Sequence, residues 1–434
     1  MAADLRSRIA HAWKPLLAAT AMLVVVVSGV LLGLNLSLGN KEIDGPLERL
    51  YDVADPRFEQ MMGSVLTPPL LAGNRPRELV NGEEIFPAML AAIRGAGQSI
   101  TLETYIYWSG AIGREFSAAL AERARSGVQV RVLLDWIGSD LDDALLGEMR
   151  AAGVHIRRYN PLSWASLARM NHRTHRRLLV VDGRIGFIGG AGMGDKWRGD
   201  AGGPDHWRDT HFEVEGPVVT QLQSAFIDNW LQTTGEVLHS ARFLPEPAAA
   251  GSSRAQVFSA SPGGGSKSMQ LMYLLSITSA ARSIELSAAY FVPDEVAMAT
   301  LVAAARRGVR VRVIVPGPHM DKAVVRRASR ATWGPLLEAG VEIHEYQPTM
   351  FHCKVMVVDG LWVSVGSTNF DSRSFSINDE ANMNVLDAAF ASRQVEVFEN
   401  DLRRARRVTL EEWRSRSAWD KVLDAAASLL SSQL

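Results

Sequence analysis

The chain has 434 residues, enough for two domains of ordinary size or one large core. At 47% hydrophobic and 21% charged residues the composition is globular. The formal net charge of −1 excludes the strongly basic balance of a general nucleic-acid binder, though not a local basic pocket. Cys353 is the single cysteine, which excludes intrachain disulfides and cysteine-based zinc sites.

In chain order, the first feature is an uncharged stretch from Pro15 to Asn40, containing "PLLAATAMLVVVVSGVLLGLNLSL". At ~1.5 Å per residue it extends about 36 Å, against a hydrocarbon core of ~30 Å. It is too long for a usual signal-peptide core and no A-x-A-like cleavage site follows, so residues 1–40 are expected to be a single uncleaved transmembrane anchor. Arg6, Arg8 and Lys14 precede the run, and Lys41, Arg49 and Arg57 follow it among several acidic residues. That balance leans toward a cytosolic N-terminus and a catalytic body on the outer side of a bacterial inner membrane. A juxtamembrane linker is expected over 41–75.

Beyond it the chain makes similar statements twice. "QSITLETYIY" (98–107), a helical segment and "VQVRVLLD" (128–135) are matched by "RSIELSAAYF" (282–291), a helix and "VRVRVIVPG" (309–317). "AAGVHIRRYNP" (151–161) corresponds to "EAGVEIHEYQP" (338–348). Strands alternating with helices imply an α/β fold with right-handed crossovers and a largely parallel sheet. The Pro/Gly/Ser-rich 244–266 is the natural boundary. The expected division is a first lobe over 76–243, a linker over 244–266, a second lobe over 267–415, and a helical tail over 416–434. The tail's apolar spacing suits docking on the core better than lying on a bilayer.

Each half contains one unusual strand, "HRTHRRLLVVDG" (172–183) and "HCKVMVVDG" (352–360). Residues i and i+2 of a strand share a face, so His352 and Lys354 point together while Cys353 points away, which argues against a thiol nucleophile. His175 and Arg177 repeat the pair; His172 does not, since its i+7 residue is Leu179. The Asp-Gly dipeptides signal two-residue hairpins. On that geometry residues whose numbers sum to 719 face each other, placing Ser367 opposite His352 with Asn369 beyond. Gly190 then falls opposite His175, with Gly192 beyond it. Imidazole, ammonium, hydroxyl and carboxamide on one patch make a cradle for a phosphate oxyanion. Burying such cations without an anion costs several kcal/mol. Asp182 and Asp359, sitting at turns, are expected to fix the hairpins or pair with a nearby cation.

These residues resemble the phospholipase D superfamily, whose signature is H-x-K-x4-D followed by Gly-Gly or Gly-Ser and asparagine. His352, Lys354, Asp359, Gly366, Ser367 and Asn369 match throughout. His175, Arg177, Asp182, Gly189 and Gly190 match with arginine for lysine, and Gly192 stands at the asparagine position. The N-terminal apolar run, "WRDTHFEVEGP" (207–217) and "NDEANM" (378–383) make the chain similar to bacterial cardiolipin synthases.

The resemblance implies two similar phospholipase D-like α/β/α lobes related by a pseudo-twofold duplication, preceded by one transmembrane helix. It implies a catalytic set of His175, Arg177, Asp182, His352, Lys354 and Asp359, with Ser367, Asn369 and Gly190 binding the substrate phosphate and no metal or other cofactor. Asp209 is expected to support His175 and Glu380 to support His352. One histidine, by resemblance His175, attacks phosphorus and the other serves as general acid and base. The implied reaction joins two phosphatidylglycerols into cardiolipin and glycerol, with phosphatidylethanolamine an alternative second lipid. The partners implied are phospholipids and the bilayer, not nucleic acid; the oligomeric state is not legible. The rival readings are a hydrolase of phospholipid or nucleic-acid diesters and an inert membrane-tethered binding module.

Overall fold

In a computed structural model of the chain, which describes residues 2–36, 43, 45–161, 171–261 and 267–433, residues 15–36 of the apolar run lie in a single helix, α1 (Ala2–Leu36). Within it Trp13–Gly33 is long and apolar enough to cross a membrane. The chain continues through α2 (Pro56–Leu66), β1 (Leu71–Val80), α3 (Asn81–Gly95), β2 (Ser99–Thr104), α4 (Ala111–Arg125), β3 (Gln129–Asp135), α5 (Asp143–Ala151) and β4 (His155–Tyr159). Next come β5 (Arg177–Val181), β6 (Ile185–Gly189), β7 (Thr210–Glu215) and α6 (Val219–Thr234). The second half runs β8 (Ser253–Ala260), α7 (Ser268–Thr278), β9 (Ser283–Ala288), β10 (Phe291–Val292), α8 (Glu295–Arg306), β11 (Arg310–Pro316), α9 (Ala323–Glu338) and β12 (Glu342–Tyr346). It closes with β13 (Lys354–Val358), β14 (Trp362–Gly366), β15 (Phe370–Asp371), α10 (Ser372–Ser376), β16 (Glu380–Leu386), α11 (Ala388–Leu402), β17 (Ala405–Val408), α12 (Leu410–Arg414) and α13 (Ala418–Ser428).

Fifteen of these strands form one sheet in the order β17-β12-β11-β9-β13-β14-β16-β8-β1-β7-β6-β5-β2-β3-β4. Read outward from the β8–β1 junction the two directions match strand for strand, with β17 as an extra edge. That is the expected pseudo-twofold duplication, fused through the sheet's centre. The expectation of a largely parallel sheet needs correction. Within this sheet parallel pairing is confined to β2–β3–β4 and β9–β11–β12, where helical crossovers enforce it. The hairpins β5–β6 and β13–β14 turn the remaining ladders antiparallel.

Period-2 alternation divides the core. Leu179 and Val181 of β5 pack under α3, α4 and α5, and Met356 and Val358 of β13 pack under α2, α7, α8 and α9. The alternate residues Leu178, Val180, Val355 and Val357 enter a shared cluster covered by α6 and α11. Helices on both faces make the body α/β/α. Of the segment expected as a linker over 41–75, the described residues from 45 onward are built into this body. Asp55 caps α2, which buries Phe58, Met62 and Leu66, each contributing about 1.5–3 kcal/mol of transfer energy. The Phe58 ring meets Trp362 edge-on at 4.9 Å. Likewise the Pro/Gly/Ser segment 244–266 supplies the central strand β8; its residues 262–266 lie outside the described residues. The tail forms α13, which docks on α9 through Ala427 and a buried Asp424 that receives Arg327 and Arg416. Its other face turns Trp419, Val422 and Leu429 to solvent.

Candidate active site

The two Asp-Gly pairs form the expected turns: Asp182, Gly183, Asp359 and Gly360 all have positive φ, between 53° and 64°. One extra residue follows each turn. Val181 faces Ile185 and Val358 faces Trp362, so Arg184 and Leu361 are bulged. Facing residues therefore sum to 720 in the second lobe, not 719, and the first lobe slips likewise. A one-residue slip changes the face presented, and it reassigns two expected phosphate ligands. Ser367 donates its hydroxyl to Glu380 Oε2 at 2.5 Å. Gly190 makes room for Asp209, whose Oδ1 would lie 2.4 Å from an added Cβ. Of the three, Asn369 lines the cavity described below.

Asp182 and Asp359 stand seven residues from their histidines, about 23 Å along an extended strand. Asp182 accepts the backbone N–H groups of Gly97, Gln98 and Ser99 at 2.7–2.8 Å. Asp359 accepts those of Ala281, Arg282 and Ser283 at 2.7–2.9 Å. Each carboxylate pins a hairpin tip to the start of the neighbouring strand, and neither lines the cavity. Their placement among the catalytic residues is corrected to a structural one.

At the opposite end of the strands the lobes exchange backbone. Thr174 bridges to Asp379, with His175 N–H donating to the Asp379 carbonyl at 2.9 Å. Phe351 bridges to Arg208, with His352 N–H donating to the Arg208 carbonyl at 2.7 Å. The residue after each bridge is a buried carboxylate, so the histidines are supported across the lobe boundary. His175 Nδ1 meets Glu380 Oε1 at 2.9 Å, and His352 Nδ1 meets Asp209 Oδ2 at 2.8 Å. The expected same-lobe pairing, Asp209 with His175 and Glu380 with His352, is reversed. Arg208, in a buried bidentate pair with Asp401 at 2.8 Å, holds the crossing in place.

The predicted cations stand beside the predicted histidines. Arg177 Nη2 lies 3.1 Å from His175 Nε2 while Nη1 donates to the His175 carbonyl at 2.8 Å. Lys354 Nζ lies 3.4 Å from His352 Nε2 and donates to the His352 carbonyl at 2.9 Å. Burial pushes His352 down to about 4, reinforced by Lys354 and opposed by Asp209. Burial, then Arg177 and Lys354, holds His175 well below its ordinary value. Burial also lowers Lys354 to about 8 and raises Glu380 to about 7. Burial works against the Asp209 carboxylate too, but His352, Lys354 and the Trp197 indole outweigh it and keep it below the usual range. Two buried neutral imidazoles flanked by cations are poised for an anion, whose charge would raise both toward protonation.

His175, Arg177, His352 and Asn369 open on one cavity of about 540 Å³. It lies where β2, β3, β9 and β11 end, since Tyr105, Ile106, Trp108, Ile137, Tyr290 and Asp321 line it from the loops that follow those strands. A crevice at the carboxyl ends of parallel strands is where open α/β sheets bind ligands, a signal that could have nominated those loops. Of the tryptophans considered for a lipid entrance, Trp108 lines the cavity and Trp164 lies outside the described residues. Trp197 is fully buried and donates its indole N–H to Asp209 Oδ2 at 2.9 Å. Trp207, which sequence reasoning passed over, lies against His352 with ring centroids 5.2 Å apart. Cys353 faces away from the cavity beside Phe398, and burial raises its thiol to about 12.

A duplicated α/β/α body with two histidine–cation–carboxylate sets on one cavity defines a phospholipase D-like site. A family model described as "Cardiolipin synthase, PLD-like domain" matches residues 89–201 and 273–402, one stretch in each half. The cardiolipin synthase of Geobacillus kaustophilus (strain HTA426) is 37% identical over 367 residues, covering 84% of this chain and 73% of its own. Cardiolipin synthase A of Pseudomonas syringae pv. syringae (strain B728a) is 35% identical over 346 residues, covering 79% and 72%. Among solved structures, the phosphatidylserine synthase of Haemophilus influenzae Rd KW20 superposes with a TM-score of 0.67 at 13% identity, over 87% of this chain and 100% of that one, a likeness of fold. The chain belongs to the cardiolipin synthase family.

Proposed function

We propose that the protein is a membrane-anchored phosphatidyltransferase that converts two phosphatidylglycerols into cardiolipin and glycerol. His175 Nε2 attacks the donor's phosphorus, the bond from phosphorus to the glycerol oxygen breaks, and protonated His352 gives its proton to that oxygen. The hydroxyl of a second phosphatidylglycerol then loses its proton to His352, attacks phosphorus, and releases His175 as the phosphorus–nitrogen bond breaks. The histidine pair titrates as a unit, one member neutral and the other protonated. The ionised Asp209 favours His352 as the protonated member, while Glu380, raised to about 7 by burial, stabilises an imidazolium at His175 less and leaves that ring neutral, the form that attacks phosphorus. Arg177, Lys354 and Asn369 take up the phosphate's charge.

The observation that carries this reading is the convergence of both histidines, backed by reciprocal carboxylates, on one cavity whose walls combine cations with Ile106, Trp108, Val324 and Val325. The Trp13–Gly33 helix supports anchorage as a single span, with the body on the outer side of the membrane as the flanking charges suggest. The test is incubation of the purified full chain with phosphatidylglycerol in metal-free mixed micelles. Cardiolipin and glycerol in equal amounts are expected. Phosphatidic acid as the sole lipid product would favour hydrolysis, and no product from folded protein would refute both.

A further inference from the structure

The cavity holds more positive charge than one phosphodiester requires. Beyond Arg177 it is lined by Arg173, from the loop before His175, and by Arg373, which follows Asn369 in α10. Arg173 is 7% exposed, spends one N–H on the His172 carbonyl at 3.2 Å, and lies over the Trp136 ring at 5.3 Å. Arg373 donates to the Asn171 carbonyl and amide oxygen at 3.1 Å and to the Gln433 carbonyl at 3.3 Å. All of these partners are neutral. Among the described residues no carboxylate lies within ion-pair distance of either guanidinium.

The carboxylates nearest in effect are engaged elsewhere. Asp135 accepts the backbone N–H groups of Ile137, Gly138 and Thr174. Asp371 caps Ser374 N–H, and burial raises it to about 7. Burial lowers Arg173, opposed by the charge of Asp135 and reinforced by repulsion from Arg373. Two cations in one cavity wall, Arg173 buried and Arg373 partly so, with no carboxylate at ion-pair distance, are unfavourable in the free protein, so their presence points to an anion that arrives with substrate. Cardiolipin carries two phosphodiesters separated by one glycerol. With one of them between the histidines, the other must lie a glycerol's length along the same cavity.

We propose that Arg173 and Arg373 form a second phosphodiester subsite, which holds the phosphate of the acceptor lipid while its glycerol hydroxyl attacks the phosphatidyl-histidine. The proposal rests on the transfer reading and adds to it the element that selects a phospholipid over water or free glycerol as acceptor.

The test compares acceptors competing for one intermediate, so each ratio is independent of how much protein is folded. Full-length wild type, Arg173→Gln and Arg373→Gln are given phosphatidylglycerol in mixed micelles with radiolabelled glycerol. Cardiolipin, phosphatidic acid and label exchanged into phosphatidylglycerol are quantified. Loss of one charge-assisted phosphate contact is expected to lower the cardiolipin-to-phosphatidic-acid ratio about tenfold in each variant. Arg373→Lys should fall between wild type and Arg373→Gln. The exchange-to-phosphatidic-acid ratio should hold, because glycerol carries no phosphate. The subsite is refuted if the cardiolipin ratio stays within about twofold of wild type in both glutamine variants, if exchange falls in parallel with it, or if both variants lose all turnover. A wild type that makes phosphatidic acid and no cardiolipin would instead overturn the transfer reading, and the subsite with it.

Discussion

Crossed support of the histidines has a consequence that same-lobe support does not share. Asp209 takes three donors: His352 Nδ1 at 2.8 Å and Trp197 Nε1 at 2.9 Å on Oδ2, and Thr210 N–H at 2.8 Å on Oδ1. Asparagine has one acceptor oxygen, so in Asp209→Asn one amide face must oppose a buried donor. If the amide nitrogen turns toward Thr210, the clash costs about 1–3 kcal/mol of stability. If it turns toward His352, the ring is driven into the tautomer that puts the proton on Nε2 of the neutral form. Either way the carboxylate's charge is lost to the imidazolium, and a hydrogen bond to a charged group is worth about 1.5–3 kcal/mol. At about 1.4 kcal/mol per decade that is roughly a 10- to 150-fold loss in the steps that use His352. The assay is the burst of p-nitrophenol from a phosphodiester whose leaving group needs no acid. Asp209→Asn should reproduce the defect of His352→Ala, a retained burst followed by a stalled steady state. Glu380→Gln should reproduce His175→Ala, a lost burst. This matching does not depend on which histidine is the nucleophile. If Asp209→Asn instead behaved like His175→Ala, the crossed arrangement would be wrong.

Two further outcomes are expected. The free protein's kcat/KM for phosphatidylglycerol should peak between about pH 7 and 8: Glu380, raised to about 7, is protonated below that and supports His175 less, whereas Lys354, lowered to about 8, loses its charge above it. A plateau extending past pH 9 would count against a buried Lys354 at the phosphate. Asp359→Asn tolerates the φ of 55° but gives up the charge on three backbone N–H bonds, so the urea midpoint should fall by the equivalent of about 2–4 kcal/mol while kcat of the folded fraction is retained. A large loss of kcat with unchanged stability would restore Asp359 to the chemistry.

The sequence by itself determined whatever depends on neighbours in the chain. A histidine and a cation two residues apart share a strand face, an Asp-Gly pair accepts positive φ at both positions, and both copies of this pattern announce a duplicated phosphate site. Those are local facts, and His175–Arg177, His352–Lys354 and both turns stand where the residues said. Tertiary structure decided what lies far apart in sequence. His175 meets its carboxylate 205 residues away and His352 meets its own 143 residues away. In a duplicated chain each histidine has two equally good candidates, and motif matching cannot choose between them. Only the exchange of backbone at Thr174–Asp379 and Phe351–Arg208 does so. The bulges at Arg184 and Leu361 were equally invisible, because a hairpin signal specifies the turn and not the residue that follows it. That one-residue slip moved Ser367 and Gly190 from the phosphate to the carboxylates. The gathering of Arg173 and Arg373 around one cavity was decided last, by a loop of one lobe and a short helix of the other whose charges have no pattern in common.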